Sequence, residues 1–229
     1  MITQQETLTL EQLESSTAEE LLGWAFAEYG SRAGIITSFQ DTGCAIIDMA
    51  QRAAPGLRVI TIDTLRLHEE TYRLIESIEA RYGIVVERFF PDPQRLDQMI
   101  EDYGEYLFFD GREGQQRCCF VRKVEPNQRA LDTLDVWFTG LRRDQSCHRS
   151  NTSKVSLVTH GDREILKIAP LADWSEERVR SYLDEHDVPI NALYDKGYTS
   201  IGCTICTTPT RVCEDKRSGR WRWFGCRED

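Results

Sequence analysis

The sequence has no apolar run long enough to span a bilayer. Its longest, around residues 34–37 and 59–62, fall far short of the roughly 20 residues a membrane helix needs. The first residues, Met1-Ile-Thr-Gln-Gln-Glu-Thr, show no basic stretch followed by an apolar one, so no secretory signal is expected and the protein is placed in the cytoplasm. Internal repeats, low-complexity tracts and Gly/Ser linkers are absent, which fits 229 residues to one α/β domain with at most a short tail. Gly-x-x-x-x-Gly-Lys-[Ser/Thr] and Gly-x-Gly-x-x-Gly are missing too, so the common phosphate and dinucleotide loops are excluded. There is also a shortage of positive charge. The net charge of −10 speaks against a general nucleic-acid coat. The four histidines do not cluster in the sequence.

The basic residues that are present are unevenly placed. One group runs from Arg112 to Arg149 and includes Arg117, Arg122, Lys123, Arg142 and Arg143. A second runs from Arg211 to Arg227 and includes Lys216, Arg220 and Arg222. Local arginine groups in an acidic chain point to a small anionic ligand. The plainer reading of any single arginine is a solvated face.

Eight cysteines are too many to pass over. A chain of this length without a secretory signal favours metal binding or catalysis over disulfides. Cys118-Cys119 and Cys203-Thr-Ile-Cys206 form two close pairs. A C-x-x-C pair brings two thiolates to one centre, and a second pair completes four ligands. Two adjacent cysteines chelate one tetrahedral ion awkwardly and suit the separate irons of a 4Fe-4S cluster better. Zinc and a redox C-x-x-C stay open on the residues alone.

Apolar spacing predicts helices over much of the first thirty residues, with a capped start at Thr17 and Glu20. Short apolar runs predict strands at 34–39, 57–63, 83–90, 135–140 and 165–170. Helical periodicity falls at 44–53, 69–82 and 175–185. The alternation implies a parallel twisted sheet with helices on both faces. Ligands of such sheets sit at the carboxyl ends of the strands, which directs attention to the loops 38–43, 63–67 and 140–144. Thr37-Ser-Phe-Gln-Asp-Thr-Gly lies where strand passes to helix, and its free N–H groups suit a phosphate, although a structural turn explains it equally well.

Longer motifs carry a resemblance. Thr37-Ser-Phe-Gln, Ile62-Asp-Thr-Leu-Arg-Leu-His-Glu-Glu-Thr-Tyr72, Cys118-Cys119-Phe-Val-Arg-Lys-Val-Glu-Pro, Thr139-Gly-Leu-Arg-Arg-Asp-Gln-Ser146 and Tyr198-Thr-Ser-Ile-Gly-Cys203-Thr-Ile-Cys206-Thr resemble, in order, the signatures of adenylyl-sulfate (APS) reductases and the related phosphoadenylyl-sulfate (PAPS) reductases. The resemblance runs from about Ile35 to Trp223. It implies an adenine nucleotide α-hydrolase-like fold over residues 1–209 with a C-terminal tail at 210–229. It further implies reduction of APS to sulfite and AMP in sulfate assimilation, toward cysteine biosynthesis. By the same resemblance Ser38, Phe39, Gln40, Asp63, Thr64, Arg142, Arg143 and Arg220 bind substrate. Lys123 stands between substrate and cofactor, and Cys118, Cys119, Cys203 and Cys206 hold a 4Fe-4S cluster. A thiolate attacks the sulfate sulfur, AMP leaves, and thioredoxin or glutaredoxin releases sulfite from the S-sulfocysteine. Members are often homo-oligomers. The alternatives are PAPS as substrate, a nucleotide-binding homologue without the nucleophile, or a same-fold ATP-dependent sulfur-transfer enzyme.

The sequence departs from the family at the nucleophile. Gly219-Arg-Trp-Arg-Trp223 is present, but the family's Glu-Cys-Gly-Leu-His segment would fall beyond Asp229, so truncation is the leading expectation. Cys226, between Arg222 and Arg227, is the substitute within the chain, since neighbouring arginines lower a thiol pKa. Leu65 and Glu69 stand where many members carry Gly and Pro.

Overall fold

The computed structural model describes residues 11–146 and 149–224. Six strands form one sheet: β1 (Ala33–Ile36), β2 (Arg58–Ile62), β3 (Val86–Phe89), β4 (Val136–Phe138), β5 (Val155–His160) and β6 (Arg163–Ile168). Their order is β3-β2-β1-β4-β6-β5. All pairings are parallel except β5 with β6.

That order is what places the site. From β1 the chain steps outward to β2 and β3, then returns to lay β4 on the other side of β1. The loops after β1 and β4 therefore diverge and leave a crevice at the carboxyl end of the sheet.

The helices are α1 (Ala18–Tyr29), α2 (Asp41–Ala53), α3 (Glu69–Tyr82), α4 (Pro93–Tyr103), α5 (Arg112–Cys119), α6 (Glu125–Asp132) and α7 (Glu176–Glu185). Three of the starts have a side-chain cap. Thr17 and Glu20 form the expected capping box at α1. Asp92 accepts from the Arg95 N–H with Pro93 at the first helical position of α4. Ser175 caps α7.

Strand periodicity sorts the core into two layers. Ile35, Val59, Val86, Val136 and Phe138 face the large cluster with Leu21 and Leu22 of α1, Ile46, Ile47 and Met49 of α2, and Ile75 and Ile78 of α3. Ile60, Ile36, Ile62, Phe89 and Trp137 face the opposite layer with Ala130 of α6 and Leu134. A third cluster lies apart from these two: Met99, Leu107, Phe108, Cys118, Val121 and Cys206, with Trp221 and Trp223 against it.

Two expectations need correction. The run at 165–170 belongs to the sixth strand in chain order, because β5 precedes it as an antiparallel edge. Ser156, Thr159 and His160 dilute β5's apolar signal, as befits an edge strand with one wet face. Helices α4, α5 and α6 fall between residues 91 and 134, where no helix was expected, although α4 and α6 are amphipathic. α5 is strongly polar, with Cys118 its buried residue.

Candidate functional site

A cleft of about 510 Å³ opens at the carboxyl ends of β1 and β4. Nine lysines and arginines line it against two carboxylates, Asp41 and Glu176. In a chain of net charge −10, that concentration makes the cleft a site for an anion.

The loop after β1 forms its floor. Thr37 N–H donates to Ile60 O at 2.9 Å, extending the sheet by one step. The Thr37 hydroxyl then accepts from Phe39 N–H at 3.0 Å and bends the chain, leaving Phe39 at φ 54°. Gly43 is required here, because a Cβ on it would drive into the Thr37 hydroxyl. The bend delivers the start of α2 to the cleft. Gln40, the N-cap, makes no side-chain cap bond, so the positive end of the helix is turned toward the anion site. Gln40 instead accepts from Ile201 N–H at 3.1 Å and donates to Ser38 Oγ at 3.0 Å, tying the floor to the wall at 199–202.

The loop after β4 contributes Arg142, which is 5% exposed and paired with Asp144 at 3.0 Å and with the Thr42 hydroxyl. Arg143 does not join it. Its guanidinium donates to Thr152 O at 2.8 Å and reaches Glu14 at 3.2 Å, away from the cleft lining. Arg142 is extended whereas Arg143 opens a short 3-10 turn, so the two side chains part, and of the two Arg142 alone lines the cleft.

Phe39 and Asp63 are buried and lie outside the cleft lining. Phe39 is fully buried and shapes the loop through its backbone. Asp63, 2% exposed, accepts from Leu65 N–H at 2.9 Å and Tyr72 Oη at 2.8 Å, and so fixes the turn after β2. Burial and that carboxylate push the Tyr72 phenol up to about 12. Ser38, Gln40, Thr64, Lys123, Arg142 and Arg220 do line the cleft, as do all four expected cysteines, of which Cys118 is the most buried at 6% exposed.

The cysteines form one wall. Cys118 and Cys119 end α5, where the helix widens into a single π turn, Phe120–Val124, before Pro126 at the start of α6. Such wide turns re-aim side chains at functional sites. Cys203 and Cys206 belong to a tight turn in which Cys206 N–H donates to Cys203 O at 3.0 Å. Polar groups face the sulfurs: Thr64 Oγ1 lies 3.2 Å from Cys203 Sγ, and Gln115 Nε2 lies 3.6 Å from Cys119 Sγ. Arg122, its charge close to Cys118, donates to Thr64 O at 3.1 Å.

Burial first, and then the neighbouring sulfurs, push Cys119 up to about 11 and Cys206 up to about 12. Burial raises Cys118 as well. Burial thus disfavours the thiolate form of Cys118, Cys119 and Cys206, which a bound cation would reverse. Soft donors from two short segments fit an iron–sulfur group. Among the described residues, no three His, Cys, Asp or Glu side chains close on a single ion-sized point.

Lys123 and Arg220 line the cleft beside the sulfurs, their charges close to Cys119 and Cys203. Lys123 keeps solvent-accessible area, yet protein crowds it within the concavity. Burial, followed by Arg220, holds its ammonium below the usual lysine range. Arg220 is depressed by burial and then by Arg217. It donates to Ile201 O at 3.2 Å and lies over the Trp221 ring at 4.8 Å. Its guanidinium occupies the space a Cβ on Gly202 would take.

The profile of the phosphoadenosine phosphosulfate reductase domain matches residues 33–209. The chain belongs to that family. Among the similar proteins of this reductase family, an adenosine 5'-phosphosulfate reductase of Allochromatium vinosum is 39% identical over 208 residues, covering 91% of this chain and 80% of the relative. One of Agrobacterium fabrum is 39% identical over 202 residues, covering 86% and 75%. A crystal structure of PAPS reductase from Candida auris, a phosphate complex, superposes with TM-score 0.76 at 28% identity, covering 91% of this chain and 98% of the other. FMN adenylyltransferase of Candida glabrata, at 14% identity and TM-score 0.57, shares the fold alone.

The reductase-family chain also brings to the cleft residues that the sequence reading passed over. Tyr194 Oη accepts from Asp41 N–H at 3.3 Å, and Arg180 approaches the Asp41 carboxylate at 3.8 Å. Burial raises Asp41 above the usual carboxylate range. Arg180 sits on a helix whose spacing read as ordinary amphipathic surface, so no sequence signal marked it. The tail divides its two tryptophans. Trp221 lines the cleft, whereas Trp223 packs on Phe109 at 4.8 Å and donates to Phe108 O at 3.2 Å. Arg222 clamps Glu214, Thr208 and Pro209, and so does not face the cleft lining. Cys226, the substitute nucleophile within the chain, lies outside the described residues.

Proposed function

We propose that this chain reduces APS to sulfite and AMP, with a 4Fe-4S cluster held by Cys118, Cys119, Cys203 and Cys206. The observation that carries the reading is a single cleft lined by Lys123, Arg220 and further cations together with all four cysteines. Relatives at 34–39% identity named adenosine 5'-phosphosulfate reductase support the substrate.

In this reading the nucleotide lies across the floor formed by Ser38, Gln40 and the start of α2. The phosphosulfate lies toward Lys123 and Arg220. The guanidinium forks of Arg142 and Arg220 offset the repulsion between a thiolate and a dianion. The Cys226 thiolate attacks the sulfate sulfur, and the bond from that sulfur to the bridging phosphate oxygen breaks. AMP leaves with the electron pair on its phosphate, where Lys123 and the arginines stabilise the charge. One thiol of thioredoxin or glutaredoxin then attacks the S-sulfocysteine, sulfite departs, and the carrier's second thiol resolves the mixed disulfide. When bound, the cluster supplies positive iron centres that keep the four thiolates ionised and the wall beside the anion ordered. The tail at 210–224 is the strap that carries Arg220 and Trp221 onto the cleft.

The test is a single turnover without carrier. Anaerobically purified protein is incubated with APS, and its intact mass is measured. A sulfonate adduct that C226S abolishes, followed by sulfite on addition of reduced thioredoxin, is the expected result. Release of sulfite from PAPS in preference to APS would overturn the substrate assignment. An adduct retained by C226S would overturn the nucleophile.

The described residues contain no helix long and apolar enough to cross a membrane.

A further inference from the structure

We propose that Arg66 is a positioning residue that locks the two cysteine pairs into one ligand set. The proposal rests on the four-cysteine cofactor reading above.

Arg66 sits on the turn after β2, which is tightly set. Leu65 takes φ 57° and donates its N–H to Asp63 Oδ1 at 2.9 Å. That turn sends the Arg66 side chain into the cysteine wall, where it is 8% exposed. Nη1 donates to Cys118 Sγ at 3.9 Å. Nη2 donates to Glu105 O at 2.9 Å, with the Glu105 carboxylate at 3.4 Å. The guanidinium plane covers the Phe108 ring at 4.9 Å. The Arg66 carbonyl accepts from Thr204 N–H at 2.8 Å, inside the Cys203–Cys206 turn. One residue thus grips the first pair through its side chain and the second through its main chain.

The chemistry requires arginine. Reaching a sulfur and a carbonyl at once needs a planar fork, which a lysine lacks. Burying a guanidinium calls for an anion beside it. Glu105 is 56% exposed and is a weak partner, whereas a thiolate donor set supplies buried negative charge at Cys118.

Wild type, R66K and R66A are to be purified anaerobically. Iron and acid-labile sulfide per chain, the visible spectrum, and the rate of iron loss to a chelator are measured. Melting temperatures are taken on the same proteins after the cluster is stripped. R66K keeps the charge and all main-chain bonds, so it tests the fork itself. The expected result is iron loss at least about ten-fold faster in R66K, with a shifted visible spectrum. Lower iron content is expected in R66A, while stripped R66K melts with stripped wild type. Loaded wild type alongside variants with the same iron content, spectrum and release rate would overturn the role of Arg66 alone. Faster release with an unchanged spectrum and an equally lowered melting temperature in stripped R66K would reduce Arg66 to general packing, and also overturns it. Wild type that holds no iron would instead overturn the cofactor reading, and this proposal with it.

Discussion

The nucleotide half and the cysteine half of the cleft are built in different ways. The floor and the Arg142 loop hang directly from strands β1 and β4, whose side chains fill the two main cores. The cysteine wall contacts no strand of the sheet through its own apolar cluster, which is drawn from helices, a π turn and the tail. Its members are few, and two of them are the cysteines Cys118 and Cys206. A sheet-borne site is positioned by the fold, whereas a site with so small a core of its own depends on whatever its side chains bind. Removing the proposed cluster is therefore expected to loosen the wall while leaving the floor in place.

The largest effect tests that difference directly. C203S removes a donor that faces the Thr64 hydroxyl at 3.2 Å. Iron per chain and sulfite release are expected to fall to background, while far-ultraviolet circular dichroism keeps the wild-type helix and strand signal. If the whole chain unfolds as well, the two halves are not separable.

Next in size is R142A, on the sheet-borne side. A charge-assisted hydrogen bond to a buried anion contributes about 1.5–3 kcal/mol, so AMP affinity is expected to fall roughly 10- to 150-fold with iron content unchanged. Titration calorimetry on the iron-loaded protein reads both. R143A is its control: with its guanidinium directed to Thr152 and Glu14, AMP affinity should stay near wild type.

G43A strikes the floor through packing alone. The added Cβ meets the Thr37 hydroxyl, and overpacking of this kind costs about 1–3 kcal/mol. The expected outcome is a lower denaturation midpoint together with weaker AMP binding, while iron content holds.

The same contrast explains what the sequence could disclose. β1, β2 and the helix Glu69–Tyr82 were legible because buried strands and amphipathic helices repeat their apolar residues at fixed periods. The three loops at the carboxyl edge followed from that alternation. α5 was not legible, since Arg112-Glu-Gly-Gln-Gln-Arg has no apolar face and the helix is fixed by what Cys118 packs against. At the site, the cysteines announced themselves through their spacing. The division of labour between Arg142 and Arg143 did not, because it depends on the backbone passing from extended at Arg142 to a 3-10 turn at Arg143. Arg66 lay within a quoted motif, but nothing in its residue type tells that it touches both cysteine pairs.

The smallest expected effect concerns Asp41, the carboxylate at the start of α2. One of its oxygens, Oδ1, is buried without a hydrogen-bond partner. Burial raises its folded pKa above the unfolded value near 3.8, against the opposing pull of Arg180. Between those two values the folded state binds more protons than the unfolded one, so stability falls as pH rises through the window. The contribution is fully present below the unfolded pKa and lost above the folded one. D41N has no such proton to lose. Its melting temperature should therefore gain on wild type as pH is raised from about 4 toward neutrality, and the two curves should draw together in acid. A difference that stays constant with pH would show that Arg180 already neutralises the carboxylate, and that this corner of the cleft is electrostatically settled before any nucleotide arrives.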